Sequence, residues 1–449
     1  MKRREFNQML LASAACAAGA FWLQESDAFA AQSSPVSHNI NPDRLRSNLE
    51  TLSQFGRNPQ GGVTRVAWTQ ADVEGRRFVM EKLMPAAGLK ARVDPAGSIY
   101  GRREGKEELP VILFGSHIDT VPEGGIFDGA LGSLSAIEIL QTLAERRIET
   151  RHPLECVMWS NEEGTHYGRG LFGSRAAVGE FERGELDDKD ELGVHIRDAV
   201  ASVGGDLSRI GEAVRKKGEI AAYLELHIEQ GGILDRAGIP IGVVEGIVGI
   251  VRYQAMITGE ANHAGTTPMP GRKDALIAAS RLVIAVREET VREPGRQVGT
   301  VGKLLVHPGA PNIIPGQVEL VIELRDLSME VIARIFKRIE ARAAEIAASS
   351  GTKIAMVPTS THEPALATPW VRDMVAHEAA AAGLKTLSLP SGAGHDAQMI
   401  ARIAPMGMIF VPSVGGISHS PRELTRWEDV ANGCELLYRM VMAIDKRPL

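Results

Sequence analysis

VILFGSHIDTVPEGGIFDGALGSLSAIEILQTLAE, residues 111–145, holds three readings in one stretch. VILFGSH (111–117) is an apolar run of strand length, and ALGSLSAIEILQTLAE (130–145) is a helix. The glycine-rich loop between them carries Asp119 and Asp128, with His117 at its edge. A strand, a turn and a helix in that order predict an α/β layer, in which functional groups gather at the carboxyl ends of strands. Gly124, Gly125 and Gly129 allow the backbone to come close to whatever is held there.

The same pattern recurs on either side. LECVMWS (154–160) and AYLELHI (222–228) are further apolar strands, so His117, Glu162, Glu163 and His227 all fall at or just beyond strand ends of a largely parallel sheet. From residue 248 the order changes to strand (249–258), helix (271–292), strand (297–307), strand (317–326), helix (328–349) and strand (353–359). That β-α-β-β-α-β order predicts a ferredoxin-like unit. Ile332, Ile335, Phe336, Ile339, Ala343 and Ile346 give its second helix one apolar face. Beyond residue 362 the alternating character returns, so the unit reads as an insertion between two parts of one domain, 31–247 and 362–449, with the insert spanning 248–361.

The 449 residues are 44% hydrophobic and 24% charged with a net charge of −6, which gives no basic surface for nucleic acid. The first thirty residues read as an export signal: MKRREF is basic, residues 9–23 are apolar and alanine-rich, and Ala28-Phe29-Ala30 has the form of a cleavage site. Arg3-Arg4 followed by Phe6 is of twin-arginine type, which predicts a periplasmic or exported protein without a stable membrane span after cleavage. An ordinary secretory signal, or an uncleaved anchor, is the competing reading. Cys156 and Cys434 stand in strand-like and helix-like apolar runs and read as core thiols.

His117, Asp128, Glu163, His227 and His419 are the right donors for two divalent cations, zinc or manganese, cobalt or nickel, with one carboxylate shared. Asp119 is placed to fix the His117 ring. Glu162 and Glu163 are neighbours whose side chains diverge, so that one can bind metal while the other accepts a proton from water. Any single histidine here reads more readily as a satisfied core or surface residue; the combination reverses that balance.

GSHIDT (115–120), GGIFDGALG (124–132), NEEG (161–164), ELHIEQGG (225–232), ANHAGTTPM (261–269), PNIIPG (311–316), SGAGHDA (391–397) and ISHSP (417–421) together closely resemble the hydantoinase/carbamoylase branch of the M20 metallopeptidase family. The resemblance runs from about residue 42 onward. It implies a zinc-exopeptidase-like catalytic domain, a lid and dimerisation role for the insert, and a homodimer. It also implies that His117 and His227 hold one cation, Glu163 and His419 the other, that Asp128 bridges them and that Glu162 is the general base. Gln230, His263, Asn312, Arg325 and His395 match positions that bind substrate or stabilise the oxyanion, His263 from the partner subunit. Arg325 and Asn312, judged by their neighbours alone, read as a strand-end ion pair and a turn residue.

The implied reaction is hydrolysis of an N-carbamoyl-L-amino acid, a small ureido substrate with a carboxylate, to amino acid, ammonia and carbon dioxide. Allantoate is the nearest alternative. A dipeptidase or carboxypeptidase is further off, since such relatives usually place an acid where His227 stands. An exported binding protein would be favoured only if Glu162 or a ligand were missing. His166-Tyr167 replaces an Arg-Phe pair common among relatives, which leaves the neighbouring substrate contacts open.

Overall fold

A computed structural model describes residues 37–181 and 184–448, so the reading of the first thirty residues lies outside it. Strands β1 (Ala91–Val93), β2 (Ile99–Arg103), β3 (Val111–His117), β4 (Leu154–Trp159), β5 (Ile220–Ile228) and β6 (Ile241–Ile247) come first. β7 (Gly249–Thr258), β8 (Asn262–His263), β9 (Val298–His307), β10 (Ile313–Ile314), β11 (Gln317–Asp326) and β12 (Lys353–His362) follow. β13 (Ala365–Leu366), β14 (Thr386–Ser391) and β15 (Met406–Val411) complete the chain's strands among the described residues.

One large sheet runs β1-β2-β4-β3-β5-β15-β6-β13, with β14 also paired to β6. Its centre, β4, β3, β5 and β15, is parallel, and its antiparallel joins lie toward the edges. Every residue of β3 is buried, as a central parallel strand covered on both faces requires. Helices Ala130–Glu145 and Trp427–Lys446 cover one face, where Leu134, Ile137, Leu140, Leu437 and Val441 join Ile112, Phe114 and Leu226 in one core. Trp159, Tyr223 and Phe410 form the core on the other. The parallel centre therefore brings His117 and His227, near the carboxyl ends of adjacent strands β3 and β5, to the same edge.

A second sheet, antiparallel and four-stranded, has the order β12-β7-β11-β9. Alternate residues of β7 and β11 are buried beneath helices Ala275–Arg292 and Met329–Ser350, giving a separate core of Ile257, Leu282, Val286, Leu320, Ile335 and Ile339. Phe336 stacks on Tyr253 at 3.5 Å between ring centroids. Asp274 caps the first of these helices by accepting from the main-chain N–H of Leu276 and Ile277. β8 and β10 form a two-residue ribbon that pairs His263 with Ile313. Arg296 donates to Ser388 O at 2.9 Å and Arg325 to Gly392 O at 2.6 Å, so both reach from this part of the chain to the large sheet's β14 end.

Among the described residues no helix is long and apolar enough to cross a membrane. Cys156 and Cys434 are free and buried, and burial pushes the Cys156 thiol up to about 12. Neither thiol of a chain starting at residue 31 is expected to react with an aromatic disulfide reagent until the protein is unfolded. Rapid labelling of either in the native protein would contradict their placement in the core.

Candidate active site

Asp128 is the centre of the cluster. Its Oδ1 lies 3.5 Å from His117 Nε2 and 3.2 Å from His227 Nε2, and its Oδ2 lies 3.3 Å from His419 Nε2. Glu163 Oε2 is 3.6 Å from His419 Nε2, and Glu162 Oε2 is 3.6 Å from His117 Nε2. His117, Asp128 and His227 have donor atoms within 4.8 Å of one another, and so do Asp128, Glu163 and His419. His117, Glu162 and Glu163 satisfy the same limit, so distance alone does not divide the two glutamates between ligand and base.

The two strand-end imidazoles are held by main chain. His117 Nδ1 lies 3.0 Å from Asp119 O and His227 Nδ1 lies 2.9 Å from Ile228 O. A carbonyl can only accept, so Nδ1 carries a hydrogen, and Nε2 is the ring atom turned toward Asp128. This alters the expectation for Asp119: its carbonyl, rather than its carboxylate, fixes the ring. The carboxylate stands 3.7 Å from His117 Nδ1 and accepts the main-chain N–H groups of Glu162 (3.3 Å) and Glu163 (3.2 Å). The chain turns directly after β3, which points the carbonyl back at the ring and leaves the side chain to organise the paired glutamates.

Gly129 shows how tight the centre is. It has φ +61°, and a Cβ there would stand 2.3 to 2.4 Å from the atoms of the His117 ring. Only glycine fits the position.

Burial opposes the ionisation of Asp128, yet His227, His117 and His419 together hold its carboxyl well below the usual range. Burial raises Glu162 well above the ordinary carboxylate range and Glu163 to about 7. The hydrogen bond to Asp128 raises His419 to about 9, and burial next to His227 drives His395 well below 6.5. Glu163 Oε1 and Gln230 Oε1 are buried without a hydrogen-bond partner. Acceptor oxygens left bare among imidazole and carboxylate donors fit a cation that accepts their lone pairs.

Gln230 and His395 belong to the same cavity, of about 230 Å³. Gln230, at φ +57°, donates to Asp128 Oδ2 at 2.8 Å, and His395 Nε2 lies 2.8 Å from Ser391 Oγ. His263 and Asn312 stand together on the β8/β10 ribbon but do not line this cavity; His263 is exposed, its Nδ1 accepting from Gly265 N and Thr266 N. Arg325 does not line it either. Its guanidinium pairs with Glu323, the strand-end ion pair that its local sequence suggests, and its other arm holds Gly392 O, beside the cavity residues Ala393 and Gly394. His166 also faces elsewhere, with Nδ1 2.8 Å from Ala67 O and Nε2 3.3 Å from Asp190 Oδ2.

Sequence reading missed several members of the site. Leu171 lines the cavity in a left-handed conformation (φ +58°), and nothing local in GRGLFGS signals it. Arg65, fully buried, donates to Ile118 O at 2.7 Å and so fixes the residue between His117 and Asp119. Ser418 and Glu423 bind around Asp128; the only hint is a serine and an acid flanking His419 in GGISHSPRE.

A family model for peptidase family M20/M25/M40 matches residues 113–443. The chain is 41% identical over 403 residues to an N-carbamoyl-L-amino acid amidohydrolase of Geobacillus stearothermophilus, covering 90% of this chain and 98% of that one. It is 35% identical over 398 residues to an allantoate amidohydrolase of Bacillus subtilis, covering 87% and 96% respectively. A crystal structure of a hydantoinase/carbamoylase family amidase from Burkholderia multivorans superposes with a TM-score of 0.83 at 35% identity, covering 91% of this chain and 99% of that one. With the family match spanning residues 113–443 and the fold shared over 91% of the chain with such an amidase, this protein belongs to the M20/M25/M40 peptidase family.

Proposed function

We propose that the protein is a metal-dependent amidohydrolase that cleaves the ureido C–N bond of N-carbamoyl-L-amino acids. The observation that carries this reading is Asp128, buried between the imidazoles of His117, His227 and His419 with Glu162 and Glu163 beside it. His117, His227 and Asp128 would hold one divalent cation; Glu163, His419 and the same Asp128 would hold the other. Zinc, manganese, cobalt or nickel bound there supplies Lewis acidity toward the ureido carbonyl and makes water acidic enough to attack it. Glu162 accepts the water's proton and returns it to the leaving nitrogen. The carbamate fragment then separates into ammonia and carbon dioxide, consuming one water in all. His395, held neutral by burial, and Gln230 orient the substrate in a cavity sized for a small molecule.

Residues 248–361 act in this reading as a ferredoxin-like lid and dimerisation domain. His263 and Asn312 are exposed and lie outside their own chain's cavity, which supports a site shared across a homodimer in this reading. Residues 1–30 serve as a twin-arginine export signal. Allantoate, which also joins a ureido group to a carboxylate, is the second substrate to consider, because of the 35% identity to the Bacillus subtilis allantoate amidohydrolase.

Amino acid and ammonia released from N-carbamoyl-L-amino acids, allantoate and dipeptides, each with several added metals, test the reading. Turnover of the carbamoyl compounds is expected to exceed that of dipeptides, and hydrolysis of dipeptides alone would overturn it. Arg325 carries a separate expectation. It would exchange Gly392 O for the substrate carboxylate, clamped by two parallel N–H groups that lysine cannot reproduce. Arg325→Lys should cost about 10- to 100-fold in kcat/KM, the worth of a charged hydrogen bond. Substrate amides hydrolysed as well as the free acid by the wild-type chain would show that Arg325 reads no carboxylate.

A further inference from the structure

Glu423 lies four residues beyond His419, and only 7% of its surface is exposed. Its Oε1 accepts from two main-chain N–H groups, Phe127 at 2.9 Å and Asp128 at 3.2 Å. Its Oε2 accepts from the Ser418 hydroxyl at 2.9 Å, and the same hydroxyl oxygen lies 3.1 Å from Asp128 Oδ2. The segments joined in this way are far apart in sequence: one follows β3 and carries Asp128, the other follows β15 and carries His419. The first leaves space for the carboxylate only because residue 125 is glycine, where a Cβ would stand 2.0 Å from Glu423 Oε1. The second holds His419 directly after Ser418 at φ +51°, a backbone conformation that a non-glycine residue keeps only when its surroundings impose it.

We propose that Glu423, acting partly through Ser418, is a positioning residue that latches the His419 segment to the Asp128 segment and sets the spacing of these two cation donors. The proposal rests on reading the cluster as a metal centre. Glu423 needs no contact with substrate or with the reacting atoms. Without it, two buried N–H groups lose their acceptor, and the His419 segment keeps only the imidazole's own 3.3 Å contact with Asp128 and the side-chain contacts through Ser418 and Gln230.

The test uses metal-stripped full-length protein, zinc ion alone as the probe in titration calorimetry, and the unfolding midpoint of the metal-free protein, with no substrate present. Glu423→Ala should weaken zinc binding about 10- to 100-fold, the usual cost of removing a group that orients a ligand. Glu423→Gln keeps an oxygen for Phe127 N and Asp128 N and an amide nitrogen for Ser418 Oγ, so it should restore most of the lost affinity. A Glu423→Ala chain with a lowered midpoint but wild-type zinc affinity would make the residue merely structural and overturn the proposal. Glu423→Gln as weak as Glu423→Ala would show that charge acts rather than the latch, and overturns it too. Should Glu423→Ala fail to fold, Ser418→Ala leaves both main-chain bonds in place: weakened zinc binding supports the latch and unchanged binding overturns it. Absence of zinc binding by the wild-type chain overturns the metal-centre reading together with the latch, whereas wild-type binding with unaltered variants overturns the latch alone.

Discussion

Replacing Glu162 by glutamine is expected to lower turnover by about 10²- to 10⁴-fold, the range for loss of a general base. The substitution should leave the backbone in place, because the loop is held by main-chain groups: Asp119 Oδ1 accepts from Glu162 N, and Glu162 O accepts from Leu171 N at 2.8 Å. Glutamine keeps the size of the side chain beside His117 but cannot accept the water's proton. Metal content and KM should therefore stay close to wild type while kcat collapses, the pattern of an interaction used only in the transition state. A folded Glu162→Gln protein that retains most of its turnover would refute the role. If Glu163→Gln instead keeps full metal content and loses turnover, the two neighbours have exchanged parts, an outcome that distance alone leaves open.

The second large effect is expected at Asp128. Its two oxygens face three imidazoles, it accepts from Gln230, and its Oδ2 lies 3.1 Å from the Ser418 hydroxyl oxygen. Asp128→Ala removes the donor common to both proposed cation positions. The loss in metal affinity should exceed the roughly 10- to 100-fold that follows removal of a group merely orienting a ligand. Turnover should fall with it at ordinary metal concentrations and recover only in part with excess metal. An Asp128→Ala protein that binds two cations with wild-type affinity would exclude the shared carboxylate.

What could be read in the sequence followed the length and regularity of each element. β7 and β11 occupy the segments that their alternation predicts, because each packs one face against its helices over ten residues. The helix expected from 271 begins at Ala275, since Asp274 takes the N-cap and Pro270-Gly271 belong to the preceding turn. The strand expected to end at 359 continues to His362, its pairing with β7 carried past an irregularity at Pro358. The β8/β10 ribbon is too short to show any periodicity.

In the site, the residues at or just beyond strand ends, His117, Glu162, Glu163 and His227, meet because a parallel sheet places its strand ends along one edge. Loop paths were not legible. That Asp119 presents its carbonyl to His117, or that Glu423 returns to Asp128, depends on turns that no local pattern specifies. Resemblance alone points to His263, Asn312 and Arg325, and one chain leaves all three outside its cavity.

A cation titration of the metal-stripped protein, with bound metal and release of amino acid from an N-carbamoyl-L-amino acid measured on the same samples, tests the two-cation site most directly. Activity absent at the start and rising with metal content to saturation at two cations per chain is the expected result. Full hydrolysis by protein stripped of metal, or two cations bound with no ureido C–N cleavage of any substrate tested, would contradict it.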